Sequence, residues 1–207
     1  MRDQELWTLE SLAEFWRGDN LVNIKPATGV EFPEGFDPRK VLAHMHIWSG
    51  GGAVTELGCG YGRCALAFPP VVYKGLDINP VAVDKARLLL PDYQFDVVEA
   101  PDQLPGGALL LAYTVFLHLP DELLLPWIQV AEARYEHILV CEILGRDWRA
   151  TAGVTPVFNR ELEDYKALLA PFELHAEVRL PYQRYVHSEF AGRVRNTDIS
   201  FMLFGRM

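Results

Sequence analysis

The chain has 207 residues, half of them hydrophobic and 12% aromatic, which suits one folded domain with a single core and excludes a disordered or fibrous protein. Nineteen basic against 28 acidic groups leave a formal charge of −9, so nucleic acid is not an expected partner. No stretch approaches the roughly 20 apolar residues that a membrane-spanning helix needs.

Leu6, Leu9, Leu12, Phe15 and Trp16 recur at helical spacing until Gly18, which predicts a first helix. The N-terminal Met-Arg-Asp-Gln-Glu lacks the apolar core of a signal peptide, and a cytoplasmic chain is expected. A Pro- and Gly-rich loop follows over 25–35. Asp37-Pro38 then supplies an N-cap and a first-turn proline for a second helix to about Trp48. Ser49-Gly50-Gly51-Gly52 reads as a joint, so residues 1–52 are expected to form a helical cap or lid and 53–207 the core domain.

From Ala53 short apolar runs alternate with helix signals. Strands buried on both faces are predicted near 53–57, 71–76, 93–98, 108–112 and 137–142. Asn79-Pro80 opens one helix and Pro120-Asp121 another, which runs to about Arg134. A last helix spans about 159 or 160 to 169, stopped before Pro171, and 172–180 and 198–205 read as a closing strand pair. Cys59, Cys64 and Cys141 form no C-x-x-C pair and no metal-ligand rhythm, so no metal is expected and a reducing compartment fits.

The stretch Val54-Thr55-Glu56-Leu57-Gly58-Cys59-Gly60-Tyr61-Gly62-Arg63 carries the chemistry. Glycine at every second position lets backbone pass close to a ligand and take positive φ. Strand, glycine turn and helix together form a nucleotide-type pocket at the carboxyl edge of a doubly wound sheet. The dinucleotide fingerprint needs G-x-G-x-x-G. Here Arg63 follows Gly62 and the pattern is E-x-G-x-G-x-G.

Three further signals follow in order. Asp77 of Tyr73-Lys74-Gly75-Leu76-Asp77-Ile78-Asn79 lies 15 positions beyond Gly62, at a strand tip. A carboxylate there can take both ribose hydroxyls. Glu99 of Val97-Val98-Glu99-Ala100 comes 22 residues later, and Tyr113-Thr114-Val115-Phe116-Leu117-His118-Leu119-Pro120-Asp121 follows the fourth strand. Together these segments resemble the class I methyltransferases that use S-adenosylmethionine. The resemblance covers about 53–142 and, loosely, the last two strands.

The resemblance implies an α/β fold, a seven-stranded, mostly parallel doubly wound sheet whose final strand is antiparallel, with the N-terminal helical cap added. It implies that main chain at Gly58, Gly60 and Gly62 approaches the amino-acid and ribose parts of the cofactor. Glu56 would help hold the ammonium end, Ile78 would pack on adenine, and Glu99, or else Asp102, would take the adenine amino group. Backbone near Tyr113 would meet the methionine moiety and His118 would face the reacting methyl. Cys59, Arg63 and Ala100 complete the expected cofactor set. Departures exist: Pro69-Pro70 arrive seven residues after Gly62, leaving little room for a helix, and 101–107 is too short for one.

Methyl transfer is an in-line displacement, helped chiefly by holding acceptor and methyl together in a dry pocket. For a hydroxyl acceptor His118 is the expected base, since imidazole titrates near ~6.5. For an amine or carbon it would only orient the acceptor. Arg39, His46, Tyr182, Arg184, Tyr185, Arg193 and Arg195 are candidate acceptor contacts; His44 and His46 stand two apart and do not share a helix face. Residues 173–207 hold five arginines against four acids, a charge that suits a glycan, an acidic sugar or a small polar acceptor. A small-metabolite N-methyltransferase, a non-catalytic cofactor-binding module and a nicotinamide-dependent oxidoreductase are the alternatives.

Overall fold

In the computed structural model the described residues are 8–18, 37–145, 156–181 and 198–206. Among them α1 spans Leu9–Arg17, α2 Pro38–Trp48, β1 Val54–Leu57, β2 Tyr73–Asp77, α3 Pro80–Leu89 and β3 Gln94–Val97. Then come β4 Gly107–Tyr113, α4 Asp121–Arg134, β5 Tyr135–Ile143, α5 Leu162–Leu168, β6 Glu173–Pro181 and β7 Asp198–Gly205. The sheet has seven strands in the order β3-β2-β1-β4-β5-β7-β6. Only β7 runs against its neighbours, pairing antiparallel with both β5 and β6. This is the expected α/β architecture.

All four residues of β1 are buried, as a central parallel strand covered on both faces requires. Two apolar layers cover the sheet. On one face Leu42 and Met45 of α2 and Val83 and Ala86 of α3 pack with Val54, Leu109, Leu111, Leu139 and Phe201. On the other Leu124, Ile128 and Ala131 of α4 and Tyr165 of α5 pack with Leu57, Leu110, Ala112 and Ile138. α2, expected as part of the cap, is one of the helices that cover the sheet. Among the described helices, α1 alone contributes to neither layer.

Local chemistry explains most element boundaries. Asp37 caps α2 by accepting from the Arg39 N–H at 3.0 Å, with Pro38 in the first turn. Asn79 Oδ1 caps α3 through the amides of Val81 and Ala82, at 3.0 and 3.1 Å, again followed by proline. The starts of β2 and α5 fall later than expected. After the glycine turn the chain makes only a 3-10 turn at Ala65–Ala67, because Pro69 and Pro70 supply no amide to continue it. A second such turn at Pro70–Val72 delays β2 to Tyr73. α5 begins at Leu162, since the Arg160 side chain is bound elsewhere and Glu161 occupies the N-cap position.

Candidate functional site

The chain leaves β1 toward β2 and β3 and returns through β4 on the other side, so the crevice opens at the carboxyl ends of β1 and β4. Two turns meet there. Gly58 has φ 72°, and a Cβ on it would stand 2.4 Å from Cγ2 of Val115, in the turn after β4. Glycine is required here by both the angle and the contact. Gly60 and Gly62 also have positive φ, 53° and 77°.

The amides of the glycine turn are engaged within the protein. Gly58 and Cys59 both donate to the Leu76 carbonyl, at 2.7 and 3.0 Å, and Gly62 donates to the Cys59 carbonyl at 2.9 Å. The Gly60 amide donates to Asp77 Oδ2 at 2.7 Å, while the Asn79 amide donates to Asp77 Oδ1 at 2.9 Å. Asp77 is thus locked at the tip of β2 by backbone amides, on a carboxylate that offers about four acceptor positions in all. Burial raises its carboxyl above the ordinary value, against the pull of the Asn79, Gly60 and Ile78 amides. Ile78 beside it is half-buried.

Glu56 points into the core rather than to solvent. The Tyr73 hydroxyl donates to its Oε2. Burial pushes its carboxyl up to about 7, opposed by hydrogen bonds from Tyr73 and Cys64 and by the Arg63 charge. The Arg63 guanidinium lies 4.4 Å from the Tyr113 ring centroid, so these two expected cofactor residues are brought together. Cys59, Cys64 and Cys141 are free and buried, and burial drives each thiol up, which leaves them poor nucleophiles.

His118 sits in a 3-10 turn, Phe116–His118. Its Nδ1 is 2.7 Å from the Pro156 carbonyl. A carbonyl only accepts, so Nδ1 carries the hydrogen and Nε2 is the basic nitrogen of the neutral ring. The Trp16 ring of α1 lies 4.6 Å from the His118 ring, centroid to centroid. Asn79 Nδ2 donates to the Trp16 and Gly18 carbonyls at 2.8 and 3.1 Å, and Arg17 pairs with Glu99 at 3.0 Å. α1 therefore docks over the carboxyl edge. Glu99 is otherwise exposed; its amide and that of Ala100 donate to Gln103 Oε1. Asp102 is exposed in the following turn.

Of the expected acceptor contacts, His46 lies away from this edge. Nε2 of His46 lies 2.9 Å from the Gly52 carbonyl, at the amino end of β1, the far side of the sheet from the glycine turn. Arg39 is in the first turn of α2, where its guanidinium pairs with Asp37 at 2.9 Å. Tyr182, Arg184, Tyr185, Arg193 and Arg195 lie outside the described residues. No group of three metal-ligating side chains occurs among the described residues, and no helix there is long and apolar enough to cross a membrane.

Two residues at the site were not anticipated. Glu142 near the end of β5 is fully buried and accepts the Val115 and Leu117 amides at 2.9 and 3.3 Å. Arg160, 5% exposed, donates to the Phe116 and Leu119 carbonyls, both at 2.7 Å. The one available signal was an acid inside the apolar run Ile138-Leu139-Val140-Cys141-Glu142-Ile143.

Comparison with known proteins identifies the fold. No family model matches the chain, and no curated protein matches it. Solved structures do. A SAM-dependent methyltransferase from Anabaena variabilis superposes with TM-score 0.65 at 14% identity, covering 97% of this chain and 96% of that one. Magnesium protoporphyrin IX methyltransferase from Synechocystis, solved with bound SAM, gives 0.63 at 14% identity and 95% of both chains. TehB from Haemophilus influenzae gives 0.64 at 15% identity; the match covers 84% of this chain and 64% of TehB. The chain has the class I methyltransferase fold.

Proposed function

We propose that the protein is an S-adenosylmethionine-dependent methyltransferase acting on a hydroxyl, with a glycan, acidic sugar or small polar molecule as acceptor. The observation that carries this reading is the meeting, at one sheet edge, of the glycine turn, Asp77 and the turn bearing His118. The residues fit the cofactor. Asp77 keeps acceptor capacity toward ribose, Gly58 and Gly60 bring bare backbone to the crevice, and Ile78 offers an apolar surface beside them. When bound, S-adenosylmethionine supplies a methyl group on a positively charged sulfur, open to attack from behind.

His118 would then take the acceptor's hydroxyl proton on Nε2, while Pro156 holds the other nitrogen and fixes the ring. Trp16 and α1 would exclude water from that side. A nicotinamide cofactor is less well served. Its pyrophosphate needs the amide end of a helix, whereas here only short 3-10 turns follow and the amides of Gly58, Cys59, Gly60 and Gly62 are engaged. Intracellular location belongs to the same reading, supported by the three free buried thiols. The glycan-type acceptor rests on the arginines and tyrosines of 182–195 alone.

Calorimetric titration with S-adenosylhomocysteine and with NAD(H) tests the donor. Binding of the first only is expected; binding of NAD(H) only would reject the reading. For the base, His118→Ala should keep S-adenosylhomocysteine affinity and lose at least about tenfold in turnover, against a general-base contribution of roughly 10²–10⁴-fold. Full activity in that variant would remove the base from the mechanism.

A further inference from the structure

The turn between β4 and α4 holds a conformation it would not adopt alone. Thr114 has φ 55°, the left-handed region that a β-branched residue avoids. Strain of this kind persists only where the surroundings over-determine the backbone. Here they do. The Thr114 amide donates to the Cys141 carbonyl at 2.8 Å, and the Phe158 amide donates to the Leu117 carbonyl at 2.7 Å.

Two amides and two carbonyls of the turn are gripped from two sides by buried ionisable side chains. Glu142 Oε1 takes the amides of Val115 and Leu117, while Arg160 takes the carbonyls of Phe116 and Leu119 and also meets Asp121. An acid from β5 thus satisfies two of the turn's donors, and an arginine from the segment before α5 meets two of its acceptors. His118 stands between the gripped groups, flanked by the Leu117 amide and the Leu119 carbonyl. We propose that Glu142 and Arg160 are positioning residues for the transfer reaction, setting the ring of His118 against the Pro156 carbonyl and toward the crevice.

The inference rests on the reading that His118 faces the transferred methyl. A purely mechanical prop is the competing explanation, and chemistry weighs against it. Burying an acid and a guanidinium is costly, and well-packed apolar side chains often stabilise as well or better. Among the described residues the second oxygen of Glu142 is buried with no hydrogen-bond partner. What this pair provides and apolar packing cannot is a fixed hydrogen-bonding frame on both sides of one residue.

The test is carried out on the full chain, with nuclear magnetic resonance of the His118 ring, assigned by its loss in His118→Gln. Calorimetry with S-adenosylhomocysteine and thermal unfolding accompany it. In Glu142→Leu the His118 ring signals should shift and its titration midpoint should move by about half a unit or more. S-adenosylhomocysteine affinity should change by less than about threefold. Glu142→Gln, which keeps the accepting oxygen, should restore the wild-type signals. Should Glu142→Leu fail to fold, Arg160→Met is expected to shift the ring and Arg160→Lys to recover it in part.

A lower melting temperature with His118 unmoved would make the pair a mere prop and overturn the proposal. So would a Gln variant as perturbed as the Leu variant. If the wild type bound no S-adenosylhomocysteine, the functional reading would fall, and the His118 spectra would still judge the positioning pair.

Discussion

At the scale of single residues, two features of the site are directly exposed to substitution. Gly58 faces Val115 across the crevice, with φ 72° and room for no side chain. Gly58→Ala should cost about 1–2 kcal/mol for the left-handed backbone and more for the contact, and should weaken S-adenosylhomocysteine binding. In a Val115→Ala background the contact part should be recovered and the backbone part should remain. Melting temperatures of the four proteins check this; no recovery in the double variant would show that the steric account is wrong.

The buried acids give a second residue-level prediction. Burial raises Glu56 to about 7 and Glu142 to about 8 from an ordinary value of 4.5. Each therefore favours the fold in its protonated form. That contribution is complete below about pH 4.5 and is lost as the pH rises through about 7 and about 8 respectively. Glu142→Gln mimics the protonated acid without titrating. Its melting temperature relative to wild type should rise between pH 5 and pH 9, by an amount on the order of a few kcal/mol in stability. A constant difference across that range would contradict the assigned burial effect.

At the scale of elements, α1 is tied to the carboxyl edge by Asn79, Glu99 and the ring contact to His118. Asn79 both caps α3 and holds the Trp16 and Gly18 carbonyls. Asn79→Ala should cost about 1 kcal/mol through the lost cap and release α1, raising amide exchange over 9–17 by about tenfold. Arg17→Ala should do much less, since an exposed ion pair is worth about 1 kcal/mol at most. Equal exchange in all three proteins would show that Asn79 is not the tether.

Element starts were legible in the sequence where local chemistry decides them. Asp37-Pro38, Asn79-Pro80 and Pro120-Asp121 each combine helix-start signals, and the helices begin where these dictate. Pro69-Pro70 likewise foretold how little helix could follow the glycine turn. The α2 assignment was less legible. Asp37-Pro38 announced a helix, but nothing local said that Leu42 and Met45 would cover the sheet. Glu142 and Arg160 were invisible for the same reason, because their partners lie 25 to 44 positions away and only the fold joins them. His46 was misleading: its position at the amino end of β1 depends on the direction of α2, which spacing does not carry.

At the scale of the molecule, strand order decides where chemistry can happen. The reversal between β1 and β4 leaves one crevice at their carboxyl ends, and the glycine turn, Asp77 and His118 are the residues that chain order delivers to it. Helices α2 and α3 cover one face of the sheet and α4 and α5 the other, while α1 docks at that edge. The central claim is that this edge holds the adenosyl cofactor with its sulfur toward His118. A crystal structure of the complex with S-adenosylhomocysteine tests it most directly. The account predicts ribose hydroxyls within hydrogen-bonding distance of Asp77, adenine against Ile78, and the sulfur facing the His118 turn. A ligand bound elsewhere, or lying at this edge with its sulfur turned away from His118, would contradict it.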